Sequence, residues 1–186
     1  MRTPALAALL IAFAACGGDD SSSAAIDAAN TVHAFVPTPT GTCPAITNGT
    51  VNFAPSGIAP RAVTLYVKDG AGPGPLIFYW HATGSSPSEV TAGLGTTLTS
   101  LVDAGAVVAV PAADPAAGQF PWYIVNQSSR QDDFLIADEI VACLAAAGRI
   151  DTDRVHSMGM SAGALQTTGM TFLRSKIGRA SCRERV

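Results

Sequence analysis

The sequence predicts an α/β fold with a mostly parallel sheet and helices on both faces. Three observations carry that prediction. Short apolar runs bounded by Gly and Pro recur along the chain, segments of helical period separate them, and the two most reactive-looking segments directly follow such runs. Strand, helix, strand, helix, strand implies parallel strands joined by right-handed crossovers. In such sheets ligands bind beyond the carboxyl ends of the strands.

The elements follow in order. Residues 61–68 are rich in β-branched and aromatic side chains and alternate partly, as a half-buried strand does. A Gly/Pro turn over 69–75 leads into Leu76-Ile77-Phe78-Tyr79-Trp80, an apolar run that fits a strand buried on both faces. Residues 88–104 read as one helix, capped by Ser86 or Ser88, with Leu94, Leu98 and Leu101 at helical spacing. Residues 106–110 form the next buried strand, closed by Pro111. A long loop over 112–127 carries Phe120, Trp122 and Tyr123, which either line a pocket or anchor the loop. Residues 129–147 give the clearest helix. Ile136, Ile140 and Leu144 share a face, Asp132 and Asp133 suit the N-terminal dipole, and Gly148 stands at C′. Asp114 reads as a turn residue. Residues 154–158 are a strand that runs into Gly159-Met160-Ser161-Ala162-Gly163 and a further helix.

Composition bounds the function. The 186 residues are 48% hydrophobic and 13% charged, with 18 Gly and 12 Pro in no short period, which excludes collagen and argues against disorder. A net charge of −3 argues against a nucleic-acid partner, which needs clustered Lys and Arg.

The two ends read differently from the middle. Met1-Arg2 and the apolar run to Ala15 have the length and polarity of a signal peptide, too short to span a bilayer. Phe13-Ala14-Ala15-Cys16 resembles a bacterial lipobox, which implies acylation of Cys16 and a cell-envelope lipoprotein whose only membrane contact is that anchor. Phe13 stands where an aliphatic residue is usual, so secreted or periplasmic release by ordinary cleavage is the alternative. Residues 16–42 read as a flexible tether, followed by a partial domain over 43–176. Residues 177–186 resemble one reading frame of a sequencing adapter and read as an artefactual tail: Arg179, Arg183 and Arg185 crowd there, whereas the preceding 176 residues hold eight Lys and Arg. Without residues 1–15 and 177–186 the chain keeps 7 basic and 13 acidic residues.

Gly159-Met160-Ser161-Ala162-Gly163 is a G-x-S-x-G motif between a predicted strand and a predicted helix. That context suits a nucleophile elbow, in which a strained turn lifts Ser161 toward a substrate carbonyl. The Ala162 N–H, at the positive end of the new helix, faces the developing negative charge. The alternative is a tight turn with an inert serine. His81-Ala82-Thr83-Gly84 ends the strand at Trp80, where such a sheet supplies its second oxyanion donor. Thr83 N–H suits that role, with His81 bracing the loop.

From Pro75 through Gly163 the chain resembles the N-terminal half of an α/β-hydrolase, in particular the secreted polyhydroxybutyrate depolymerase and feruloyl esterase group. The histidine-led loop, Asp132-Asp133-Phe134, and Asp151-Thr152-Asp153-Arg154-Val155 before the elbow carry the resemblance. It implies hydrolysis of carboxylic esters, polymeric ones included, through an acyl-enzyme on Ser161, with no metal and no cofactor.

Family order also places an Asp or Glu and then a His after the serine. The 25 residues after Ser161 hold neither His nor Asp, and Glu184 lies in the suspect tail. The 186 residues therefore read as an incomplete, inactive half site, poorly soluble when residues 16–186 are expressed alone. His156 reads as a core or supporting residue. Cys43 and Cys143 either pair in an oxidising envelope or stay as thiols. Other readings are a non-catalytic surface lipoprotein that binds through a hydrolase scaffold, and a peptidase or acyltransferase on that scaffold.

Overall fold

The computed structural model describes residues 35–175; the signal segment, Cys16 and the tail at 177–186 lie outside the described residues. Five strands form one sheet: β1 (Gly49–Phe53), β2 (Arg61–Tyr66), β3 (Gly74–Trp80), β4 (Val107–Pro111) and β5 (Ile150–Gly159), in the spatial order β1-β2-β4-β3-β5. β3 pairs in parallel with both β4 and β5, while β2 runs antiparallel to β1 and β4. Only β2 therefore opposes the common direction.

Helices cover both faces. On one face lie α1 (Glu89–Leu94) and α2 (Thr96–Asp103); Val90 and Leu98 pack on Ile77, Tyr79, Val108 and Val110. On the other lie α3 (Asp132–Ala146) and α4 (Ala162–Leu173), over Val63, Leu65, Leu76, Phe78, Trp80 and Ala109. The period-2 alternation of β3 divides its run between the two cores, which is why a continuous apolar string was required there. Burying one such Leu or Phe contributes about 1.5–3 kcal/mol.

Several sequence expectations are corrected. The single helix over 88–104 is two, broken at Gly95, whose φ of 53° and ψ of −133° leave the helical region. β1 was not foreseen: it is short, and only Phe53 of its five residues is fully buried. β5 begins at Ile150 rather than 154, and a short 3-10 turn, Pro115–Ala117, interrupts the long loop. Gly148, at φ 65°, occupies C′ of α3 as expected.

Cys43 and Cys143 form a disulfide, which settles the open choice between pairing and thiols. The end of the expected tether is also tied down. Thr40 N–H, Thr40 Oγ1 and Gly41 N–H donate to Glu139 on α3, at 2.8, 2.8 and 2.9 Å. Cys43, Glu139 and Cys143 lie within reach of one another. With the sulfurs bonded to each other and both carboxylate oxygens accepting, this trio is a clamp, not a cation site.

Asp114 and Asp133, read as a turn residue and a helix-start charge, hold a buried network. Arg61 donates to Asp133 at 2.6 Å and to Asp114 at 3.0 Å, and Tyr123 N–H donates to Asp133 at 2.7 Å. Tyr123 Oη donates to Asp114 at 2.9 Å, and burial together with that carboxylate pushes the phenol up to about 12.

Candidate active site

The register of the parallel pair positions the site. Trp80 stands opposite Gly159, so β3 and β5 end side by side and their loops emerge together. Met160 N–H donates to the Trp80 carbonyl at 3.2 Å, stitching the two ends. Gly159, Ser161, Ala162 and Gly163 thereby come beside the loop that carries His81, Thr83 and Gly84.

Ser161 stands between β5 and α4 with φ 52° and ψ −114°. Only two non-glycine residues of the described chain have positive φ, Ser161 and Gln127. A β-carbon there crowds the following carbonyl, so the surrounding turn must hold the residue in place. Both glycines are required by their neighbours. A Cβ on Gly163 would stand 1.8 Å from the Trp80 carbonyl oxygen, and one on Gly159 would stand 2.6 Å from it. α4 can approach β3 this closely only where side chains are absent.

The Ser161 side chain makes no capping bond and is exposed. Ala162 is buried at the first position of α4, where N–H groups have no acceptor within the helix. An anion above Ser161 would meet that end of the helix dipole. The arrangement suits a nucleophilic hydroxyl with an adjacent oxyanion donor.

The second loop is braced from below. Trp122 Nε1–H donates to the His81 carbonyl at 3.0 Å and packs edge-on against Trp80, ring centroids 5.0 Å apart. Trp122 and Tyr123 are buried, so of the two readings of the aromatic loop, anchoring holds for this pair. The His81 ring is buried, its Nδ1–H donating to the Ala82 carbonyl at 2.9 Å. Its Nε2 has no partner among the described residues. Gly84 turns the chain at φ 73°, and Thr83 is exposed.

His156 is exposed on β5, which excludes the core half of its reading, and the turn at Met160 separates it from Ser161. Sequence reasoning missed Glu89, whose carboxylate accepts the Ala82 N–H at 3.1 and 3.2 Å. A Glu one residue after Ser88 signals only a helix start; its loop contact depends on how α1 packs on Tyr79. A groove of about 480 Å³ runs along α4, lined by Ile124, Val125, Leu165, Thr168 and Phe172, and does not include Ser161.

No family model matches the sequence, and no curated protein matches it. Among solved structures the chain is similar to sOPH in its native form, at 20% identity and TM-score 0.60, over 76% of this chain and 52% of that one. It is also similar to native pOPH, at 21% identity and TM-score 0.57, over 74% of this chain and 52% of that one. The chain has an α/β-hydrolase fold. A thermostable esterase shares it at 15% identity and TM-score 0.55, over 69% of this chain and 38% of that one. An S-formylglutathione hydrolase from Agrobacterium tumefaciens does so at 14% identity and TM-score 0.51, over 72% and 57%. At these identities the likeness is one of fold, and the chain spans about half the length of sOPH and pOPH.

Proposed function

We propose that this chain is the nucleophile-bearing half of an exported serine carboxylic-ester hydrolase. The strained Ser161 between β5 and α4, packed by Gly159 and Gly163 against Trp80, carries the reading. Ser161 Oγ attacks the ester carbonyl carbon and gives its proton to a general base. The tetrahedral oxyanion takes hydrogen bonds from the N–H groups of Ala162 and Thr83. Collapse expels the alcohol, which regains a proton, and water then cleaves the acyl-serine to acid and free enzyme. No His or Asp follows Ser161 here, so we assign the base and its carboxylate to chain beyond these 186 residues, and the 186 residues alone are inactive.

The substrate class we favour is a polyester or aryl ester, as in the depolymerase and feruloyl esterase group. The export segment over 1–15 and acylation of Cys16 belong to the same proposal; the Cys43–Cys143 disulfide supports it, since such bonds persist in oxidising compartments.

Reading the coding DNA past the Arg174 codon tests the proposal first. We expect further strands, an Asp and a later His, and hydrolysis of p-nitrophenyl butyrate by the full-length protein. Ser161→Ala then lowers kcat/KM by at least about 10³-fold. A frame that truly ends in Arg-Glu-Arg-Val, or a Ser161→Ala variant that keeps its activity, overturns the catalytic role and leaves a binding protein on a hydrolase scaffold.

A further inference from the structure

We propose that Glu89 is the positioning residue of the oxyanion loop: its carboxylate fixes Ala82 so that the next N–H, that of Thr83, faces the ester oxygen. This rests on the serine-hydrolase reading of Ser161. Two peptide planes meet at Ala82, and both are held. The Ala82 N–H, in the first plane, donates to both oxygens of Glu89 at 3.2 and 3.1 Å. The Ala82 carbonyl, in the second, accepts from His81 Nδ1–H at 2.9 Å and from Ser85 N–H at 3.2 Å.

The Thr83 N–H belongs to that second plane. In a trans peptide the N–H points opposite to the C=O, so holding one aims the other. Among the described residues Thr83 N–H donates to no protein acceptor and is exposed. With φ and ψ of Ala82 both set, it is a free donor of fixed direction, as the oxyanion requires.

Glu89 is itself held. Tyr79 Oη on β3 donates to it at 3.1 Å. Gly93, a turn further along α1, lets the helix close on that ring, since a Cβ there would lie 2.4 Å from Tyr79 Oη. Burial alone would raise the Glu89 carboxyl. Bonds from Ser85, the Ala82 N–H and Tyr79, with His81 nearby, outweigh it and hold the group below the usual carboxylate range, ionised at neutral pH.

The test uses the full-length protein, p-nitrophenyl butyrate, and the initial burst of p-nitrophenol to count working sites. Glu89→Ala is expected to lower kcat per working site about 10- to 100-fold, with KM changed less than about threefold, because a misaimed donor forfeits part of what a deleted one costs. Glu89→Gln, whose amide oxygen still accepts from Ala82, should stay within about threefold of the parent. If Glu89→Ala does not fold, Tyr79→Phe replaces it, with an expected loss in kcat of about two- to fivefold, smaller because the Ala82 bonds to Glu89 remain. Unchanged kcat per working site, in Glu89→Ala or in its replacement, overturns the proposal even where stability falls. A Ser161→Ala control that keeps activity instead overturns the hydrolase reading, so the two failures are distinguishable.

Discussion

The two sides of the sheet meet their burial obligations differently. On the β1–β2 side every buried charge has a partner: Arg61 lies between Asp133 and Asp114, Glu139 accepts three donors from Thr40 and Gly41, and a disulfide joins the segment before β1 to α3. On the β5–α4 side, Arg174 ties the end of α4 to Asp138 at 2.9 Å, yet Gln166 is fully buried with both amide atoms unpaired among the described residues. Leu165, Phe172 and Leu173 on α4 are 56%, 78% and 51% exposed. The side that carries Ser161 is thus the less completed one among the described residues, and substitutions on the two sides should differ in sign.

The largest effect is expected on the completed side. Arg61→Ala leaves the Asp133 charge buried without its cation and should cost about 3–5 kcal/mol in urea unfolding. A loss under about 1 kcal/mol would mean that Tyr123 N–H alone satisfies that carboxylate. Replacing Cys43 and Cys143 by Ser comes next, at about 2–4 kcal/mol, the range for closing a long loop. On the other side the sign should reverse: Gln166→Met removes two unpaired buried groups at similar volume and should raise stability by about 1 kcal/mol. Any loss in that variant would reveal a partner for the amide.

Two smaller effects sharpen the contrast. Burial pulls the Asp114 carboxyl upward, but the Ala116 N–H, the Tyr123 hydroxyl and the Arg61 charge outweigh it and hold the group low. A carboxyl depressed in the folded state contributes stability above its unfolded pKa, near 4, and loses it as pH falls through the folded value. Stability should therefore fall more steeply below about pH 4 in the parent than in Asp114→Asn, by comparison of thermal midpoints. Smallest of all, Leu165→Gln with Phe172→Gln should change unfolding free energy by less than about 0.5 kcal/mol. The pair should still increase the monomer fraction in size-exclusion chromatography, and unchanged association would place the sticky surface elsewhere.

What the sequence made legible follows from range. β3, β4 and α3 announce themselves through local runs and period, and the turn at Ser161 through a five-residue motif, so these elements and the meeting of His81–Gly84 with Ser161 could be anticipated. Arg61 and Asp133 are 72 residues apart, and nothing local marks the arginine at the start of a half-buried strand as buried. Gly95 ends a helix because its backbone turns over to φ 53°, whereas Gly93, two residues earlier, stays in the helix to admit Tyr79. The sequence shows two glycines; only packing tells them apart. His156 fails for a related reason, since strand alternation gives two faces without saying which one solvent reaches.

The clamp before β1 has a mechanical meaning. Tension applied to the chain ahead of Thr40 first meets the hydrogen bonds of Thr40 and Gly41 to Glu139, then the covalent bond from Cys43 to Cys143. Both deliver the load to the body of α3, upstream of the first residue of β1. The β1–β2 ladder, which a pull along the backbone would otherwise peel open one pair at a time, is bypassed. A domain held this way can be tugged from its N-terminal side without disturbing the strands that align the Ser161 turn.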